Sequence, residues 1–571
     1  MSPRAAQTIR PGNAARRPRL ALRVGVTGAR DLPSERLGGV RSQLFRVLAL
    51  VRQEMADLAE SADARRGYQP AAPELRLLSP LAEGADRLAA EAALELGYRL
   101  YVPMPFRRAE YVRDFLHKRA DRGGAEEFER LLKRADAALE LDGARDDPGR
   151  YRHDEARSYE AVGRLVVRNC DLLIAVWDGA SGKGRGGTAD MVQYSAKFGP
   201  PVWWVHAKQD QPPIWVDDGV ALDIPPGDGA AEQALRCHLA NLIVPPASQH
   251  EGSPAFCESV IKRPRPKPPA DAVASHWYHH CRAADDRVAK CAMRYRLVQG
   301  LVFLLAALSV AAAAVSVAAR HDALLTSIMT GLQLIALGVI LGFVIARQHN
   351  GWHTRWMDCR LIAELCRQQQ SLAPLGWSVP VRAAAAGPPA WAVWYFGALL
   401  RSAPLPEGVF DTERTRRTRA AALEVLAREQ SRRKRQHPRA AKWFTDWAER
   451  LFVLALVLVI AKLLILAING PTELDIVLGV PGIVLPALAA ASVGAGAYSE
   501  LQALAGQSRH VEQLMRTTEK NISALDVEGP LASQQLGALI YGVTTLILKD
   551  VPGWARLFRA NNIATAPDAR P

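Results

Sequence analysis

A chain of 571 residues exceeds what one compact core holds, so two to four domains are expected. With 49% hydrophobic and 23% charged residues, it is neither a disordered chain nor a pure membrane bundle. A formal charge of +14 points to nucleic acid, anionic lipid or an anionic small molecule, and where the charge lies decides between them.

The first 19 residues are basic, lack an apolar core before a cleavage site, and read as a disordered tail and not a secretory signal. The next part, 20–245, alternates strand-like and helix-like patterns. LALRVGVTGA (20–29) reads as a buried strand ending near Gly28, and VRSQLFRVLALVRQEMADLAE (40–60) as an amphipathic helix. ELRLLSP (74–80), a helix over 84–97 and strand RLYVPMPF (99–106) follow. A charged, helix-rich insertion over roughly 107–168 comes next. Strand DLLIAVWD (171–178), a glycine-rich turn, a helix over 189–198 and strand PPVWWVHA (200–207) complete the series. Short apolar strands separated by helices predict an α/β domain with a doubly wound parallel sheet. In such sheets ligands sit beyond the carboxyl ends of the strands.

A basic, proline-rich linker (246–272) marks a boundary, and beyond it the chemistry changes. Residues 297–319 and 324–346 are free of charge and each long enough to cross about 30 Å of hydrocarbon. A second pair is expected at 451–469 and 476–498. The chain thus divides into a first two-span hairpin with cytosolic helices (273–376), a basic cytosolic connector (377–440) and a second hairpin with C-terminal cytosolic helices (441–561). Arg287, Lys290, Arg294 and Arg296 precede the first hairpin, while Arg347, Arg355 and Arg360 follow it. The positive-inside rule then places the N-terminus, the connector and the C-terminus in the cytosol. Much of the excess charge is therefore topological and suited to anionic lipid, and no nucleic acid is needed to explain it. The seven cysteines are scattered without paired ligand spacing, which fits reduced thiols better than disulfides or zinc.

Three turns converge in a doubly wound sheet. Gly28-Ala-Arg30 follows the first strand, Ser79 to Arg87 the second, and Gly182 to Asp190 the fourth. Glycine lets backbone N–H groups approach an anion, and a helix N-terminus adds about half a positive charge. Candidate ligand contacts are Thr27, Gly28, Arg30, Ser79, Glu83, Gly84, Asp86, Lys183, Arg185, Gly186, Gly187 and Thr188. Lys462, in the middle of the third expected span, and Gln333, in the second, are the polar groups that suit a pore or a helix–helix contact. His276, His279 and His280 share helical spacing but lack a second ligand pair, so no metal is expected.

The segments VGVTGAR, SPLAEGADRLAAEAALELGYRLYVPMPF, CDLLIAVWDG and GRGGTADMVQYSAKFGPPVWW resemble the SLOG superfamily. These are Rossmann-like proteins related to the LOG nucleotide phosphoribohydrolases, to DprA and to the cytosolic region of TRPM channels. WHTRWMDCRLIAELCRQ (352–368), after a two-span hairpin, is similar to the SLATT type of membrane effector, with Arg360 and Ala363-Glu364; 537–560 is a fainter echo. The resemblance implies a bacterial inner-membrane effector in a conflict system. Its soluble domain would sense a nucleotide second messenger or an NAD-derived ligand, and its membrane part would conduct or disrupt as a homo-oligomer. It implies no bound cofactor. LOG hydrolases carry PGGxGTxxE, of which Gly186-Gly187-Thr188-Ala189-Asp190 is a shortened version. Asp190, or Glu83 or Asp86 in its place, is the candidate for cleaving an N-glycosidic bond. Because Asp190 is shorter and displaced, binding is favoured over turnover. A membrane-tethered hydrolase and a non-signalling transporter or scaffold are the alternatives.

Overall fold

In a computed structural model the apolar runs of the N-terminal half become parallel strands. It describes residues 17–116, 124–146, 154–180, 184–217, 220–221, 229–246, 271–319, 322–350, 352–379, 390–436, 438–467, 480–492 and 513–563. β1 (Ala21–Gly28), β2 (Glu74–Leu78), β3 (Arg99–Met104), β4 (Ala137–Glu140), β5 (Leu172–Trp177) and β6 (Val202–His206) run parallel. β7 (Ile214–Asp217) and β8 (Val220–Ala221) add an antiparallel edge, and β9 (Gly408–Val409) joins β4 at the other. The strand order is β8-β7-β6-β5-β1-β2-β3-β4-β9. The chain steps outwards from β1 to β4, then returns to β5 on the other side of β1. That reversal is the switch point of a doubly wound sheet.

Both faces of the sheet are covered, which is why its central strands read as nearly continuous apolar runs. Leu22, Val24 and Val26 of β1 share a core with Val40, Leu44, Val47 and Val51 of α1 (Ser34–Glu60), a short α2 (Ala62–Gly67) and the alanine face of α3 (Ala85–Glu95). On the opposite face α6 (Asp154–Asn169) presses Val166 and Cys170 against Gly25, and α7 (Thr188–Phe198) lies beside it. Between β3 and β4 the chain forms α4 (Arg108–Val112) and α5 (Gly124–Leu132), and α8 (Ala230–Ile243) follows the sheet. The charged stretch 107–168 is therefore not wholly a helical insertion. It contains β4, so the glycine turn follows the fifth strand and not the fourth. AALE (137–140) is too short, and too close to helical composition, to announce a strand.

The chain divides into two compact units. The first combines residues 1–284, 361–423 and 518–571; the second combines 285–360 and 424–517. Within the first, late chain segments complete the early sheet. α12 (Ala390–Ser402) is followed by Ala403, whose carbonyl accepts from Arg23 and Arg76, each at 2.7 Å. Phe410 N–H then bonds the Glu140 carbonyl at 2.9 Å. The remaining helices are α9 (Ala272–Ala318), α10 (Ala323–Asn350), α11 (Trp352–Leu372), α13 (Thr412–Gln436), α14 (Pro438–Ala467), α15 (Val480–Ser492), α16 (513–523) and α17 (Ala532–Ile563).

In the second unit, Gly300–Ala318 of α9 and Ala323–Phe343 of α10 are long and apolar enough to cross a membrane. Asp322 begins α10 by accepting the N–H groups of Leu324 and Leu325 at 3.0 and 3.1 Å, a standard helix start. Of the other expected spans, α14 contains 451–467, including Lys462, and α15 contains 480–492; the remainder of both lies outside the described residues. So do residues 1–16, most of the linker, and Lys183. Gln333 lies half-buried on α10.

Candidate ligand-binding cleft

At the carboxyl end of β1, beside the switch point, the first unit has a cleft of about 280 Å³. This is the lower end of the range for small-molecule sites. Three chain segments that are far apart in sequence line it. The β1 exit contributes Thr27, Gly28, Ala29 and Arg30; the turn into α3 contributes Pro80, Ala82 and Asp86; the start of α7 contributes Gly186, Gly187 and Thr188. Tyr111, Tyr159 and the apolar side chains Val162, Val166 and Met191 form the remaining wall.

Glycine makes this convergence possible. A Cβ on Gly28 would lie 2.4 Å from that of Ala85, so only glycine lets α3 come this close to β1. Gly84, at φ 81, would place a Cβ 2.5 Å from the carbonyl oxygens of Ala29 and Arg30. Instead the N–H of Ala85 bonds the Ala29 carbonyl at 3.2 Å. Gly187 differs from both: its φ is −79, and a Cβ there would meet only the Gly184 carbonyl at 3.7 Å. Its place on the cleft wall is open space.

The sequence-predicted contacts fall into two groups. Thr27, Gly28, Arg30, Asp86, Gly186, Gly187 and Thr188 line the cleft. Ser79, Glu83, Gly84 and Arg185 do not. Ser79 is fully buried, and its hydroxyl accepts from Leu81 N–H at 3.1 Å and donates to the Asp86 carbonyl at 3.3 Å. It shapes the turn. The Glu83 carboxylate lies against Gly124 at the start of α5, and Arg185 is exposed. Asp190, the catalytic candidate, accepts the Gly186 N–H at 3.0 Å and so braces the glycine turn from behind. Asp190 and Glu83, two of the acidic candidates for glycosidic cleavage, do not line the cleft.

Asp86 does, with only 5% of its surface exposed. Burial pushes its carboxyl up to about 7, against the opposing pull of the Ala82 N–H, Arg30 and Arg87. Arg30 sits 4.7 Å above the Tyr159 ring, a cation–π distance. Desolvation works against its charge, but Tyr111, Tyr159 and Asp114 outweigh that and hold the guanidinium above its ordinary value. The cleft thus offers a held cation, a buried carboxyl near neutrality and the N-terminus of an eleven-residue helix.

Sequence reasoning missed Tyr159 and the Asp114–Arg145 pair behind it. Tyr159 donates to Asp114, whose other carboxylate oxygen accepts from Arg145 at 2.6 Å. The signal was present in the amphipathic spacing of Val162, Leu165 and Val166, which marks α6 as a core helix and Tyr159 as one turn from its cleft end. Elsewhere, His276 and His280 do pack together, with ring centroids 4.6 Å apart. Burial, then the neighbouring His279, pushes His280 down to about 4, so its imidazole is neutral. Among the described residues no group of three or more His, Cys, Asp and Glu side chains is placed to hold a metal.

Comparison of the chain with protein-family models, curated proteins and solved structures gives no match.

Proposed function

We propose that this protein is a SLOG-like sensor fused to a SLATT-like membrane effector. It binds a nucleotide or NAD-derived signal in the β1 cleft and responds by conducting across, or disrupting, a bacterial inner membrane. The observation that carries the reading is the meeting of Gly28–Arg30, Asp86 and Gly186–Thr188 at one switch-point cleft. Backbone N–H groups at the α7 start and the Arg30 guanidinium suit phosphate oxygens, while Tyr159 and the apolar wall suit the rest of a nucleotide. Asp190 bracing the turn and Glu83 lying against Gly124 favour binding over turnover, and a hydrolase would have to use Asp86, the carboxyl on the cleft wall.

The membrane half supports an output role. The two apolar helices α9 and α10 expose leucines along their length, and the second pair of spans would fall on α14 and α15, of which the described part of α15 is shorter than a span. A Cβ on Gly338 or Gly342 would meet nothing within 4 Å, leaving a small-residue face for close helix contact. Four spans per chain enclose little, so the effector acts as a homo-oligomer with N- and C-termini in the cytoplasm. Gly187→Trp tests the assignment: the backbone there tolerates a side chain, and an indole fills the cleft. Ligand-dependent toxicity in a bacterial host should disappear while expression and membrane insertion stay normal. A variant that still responds would remove the cleft from the account.

A further inference from the structure

The exit of β4 carries contacts that ligand binding alone does not require. Asp114, which accepts the hydroxyl of the cleft residue Tyr159, also holds Arg145, and Arg145 bonds Glu155 at 2.7 Å. From Arg145 the chain runs back through Ala144 and Gly143 to Asp142. The Ala144 N–H bonds the Ser158 hydroxyl at 3.1 Å, and that hydroxyl shares its proton between the carbonyls of Asp154 (2.8 Å) and Ala144 (3.2 Å). A Cβ on Gly143 would lie 2.2 Å from the Pro105 carbonyl, so this stretch is pressed tight and has no slack.

Asp142 then grips the start of α17. Its carbonyl accepts the Leu531 N–H at 2.8 Å, and its carboxylate accepts the Ser533 N–H at 2.8 Å and the Ser533 hydroxyl at 2.5 Å. Burial pushes the Asp142 carboxyl up despite those bonds, so the grip is made at the expense of hydration. Leu531 is held at φ 56, a left-handed conformation that a leucine adopts only when its surroundings impose it. Two residues before Asp142, Glu140 takes the Phe410 N–H and pairs with Val409 of β9. The same short exit therefore holds two segments. One leads along the chain into α14, and the other follows α15.

We propose that residues 140–146 couple the wall of the cleft to the first turn of α17, forming the joint through which cleft occupancy reaches the C-terminal helix. The idea rests on the cleft being a ligand site, since only then does the joint carry a signal. A ligand group that engages Arg30 or the Tyr159 hydroxyl draws on the partners of Asp114. Arg145 then rebalances between Asp114 and Glu155, the 142–145 stretch shifts, and the strained turn at Leu531 favours release.

The joint can be tested without any ligand, by amide hydrogen exchange on the full chain in phospholipid nanodiscs. Asp114→Asn and, more gently, Tyr159→Phe should each speed exchange at residues 531–535 by about tenfold, with residues 44–51 of α1 unchanged as reference. Wild-type exchange at 531–535 in both variants would overturn the coupling, and so would an equal acceleration in both regions. Because no nucleotide is present, a failure of nucleotide binding leaves this readout intact, and the two ideas fail separately.

Discussion

β5 and α10 are built from the same residue types and put them to opposite uses. In β5, Leu172 through Val176 are completely buried. In α10, Leu334 is 72% exposed and Ile335 64% exposed. The sheet's apolar surface is removed from water by the chain's own helices, whereas much of the surface of α10 is uncovered among the described residues. Isolated surface leucines are ordinary, but a continuous apolar helix face marks contact with lipid or with other copies. One sequence thus carries two solvation problems: the first is solved within the chain, and the second is posed by helices long and apolar enough to cross a membrane.

Substitutions that separate these regimes sharpen the contrast. The largest effect is expected in the sheet, where Gly28→Val drives a side chain into Ala85 and should cost about 3 kcal/mol or more, seen as a lower unfolding midpoint. In the other regime, Leu334→Arg should reduce membrane insertion by about 2.5–3.5 kcal/mol. If α10 is instead a water-exposed helix, the same change stays within about 0.5 kcal/mol, and the contrast between units collapses.

Asp86→Asn gives a smaller, pH-dependent effect. The folded-state carboxyl is raised to about 7 from its ordinary 3.8. The stability contributed by its protonated form is therefore complete below about pH 4 and lost as pH rises towards and through 7. The asparagine variant should gain on wild type across that window by at most about 1.4 kcal/mol per pH unit. Unfolding midpoints at pH 5 and 7.5 would show this; a constant offset between the proteins would mean Asp86 does not titrate there. The smallest effect belongs to the exposed Arg428–Glu424 pair on α13. Arg428→Ala should change stability by about 0.5 kcal/mol or less, and a larger loss would reveal a contact beyond that pair.

The central strands were legible because β1, β3, β5 and β6 are apolar runs bounded by turns, and each falls within a residue or two of its expected limits. The cleft was half legible. Glycine positions follow from local backbone demands, so Gly28, Gly186 and Gly187 could be read from sequence, and with them Thr27 and Thr188. Glu83 and Asp190 look like catalytic carboxylates at their spacing, but which way each faces depends on the packing of α5 and on the fold of the glycine turn itself. β9 was illegible for a different reason. Two residues, Gly408 and Val409, carry no periodicity, and their partners Leu139 and Glu140 lie more than 260 residues away in the chain. The same long-range closure means that residues 1–260 alone lack β9, α12 and α17.

The most direct measurement is therefore thermal unfolding of the full chain in nanodiscs against AMP, ADP, NAD, ADP-ribose and cyclic AMP, with each compound assayed afterwards. A ligand at about a hundred times its dissociation constant should stabilise the first unit by about 2.7 kcal/mol, be recovered intact, and lose its effect in Gly187→Trp. Stabilisation with the compound consumed would make the protein a hydrolase. No stabilisation by any of them would contradict the cleft as a nucleotide sensor.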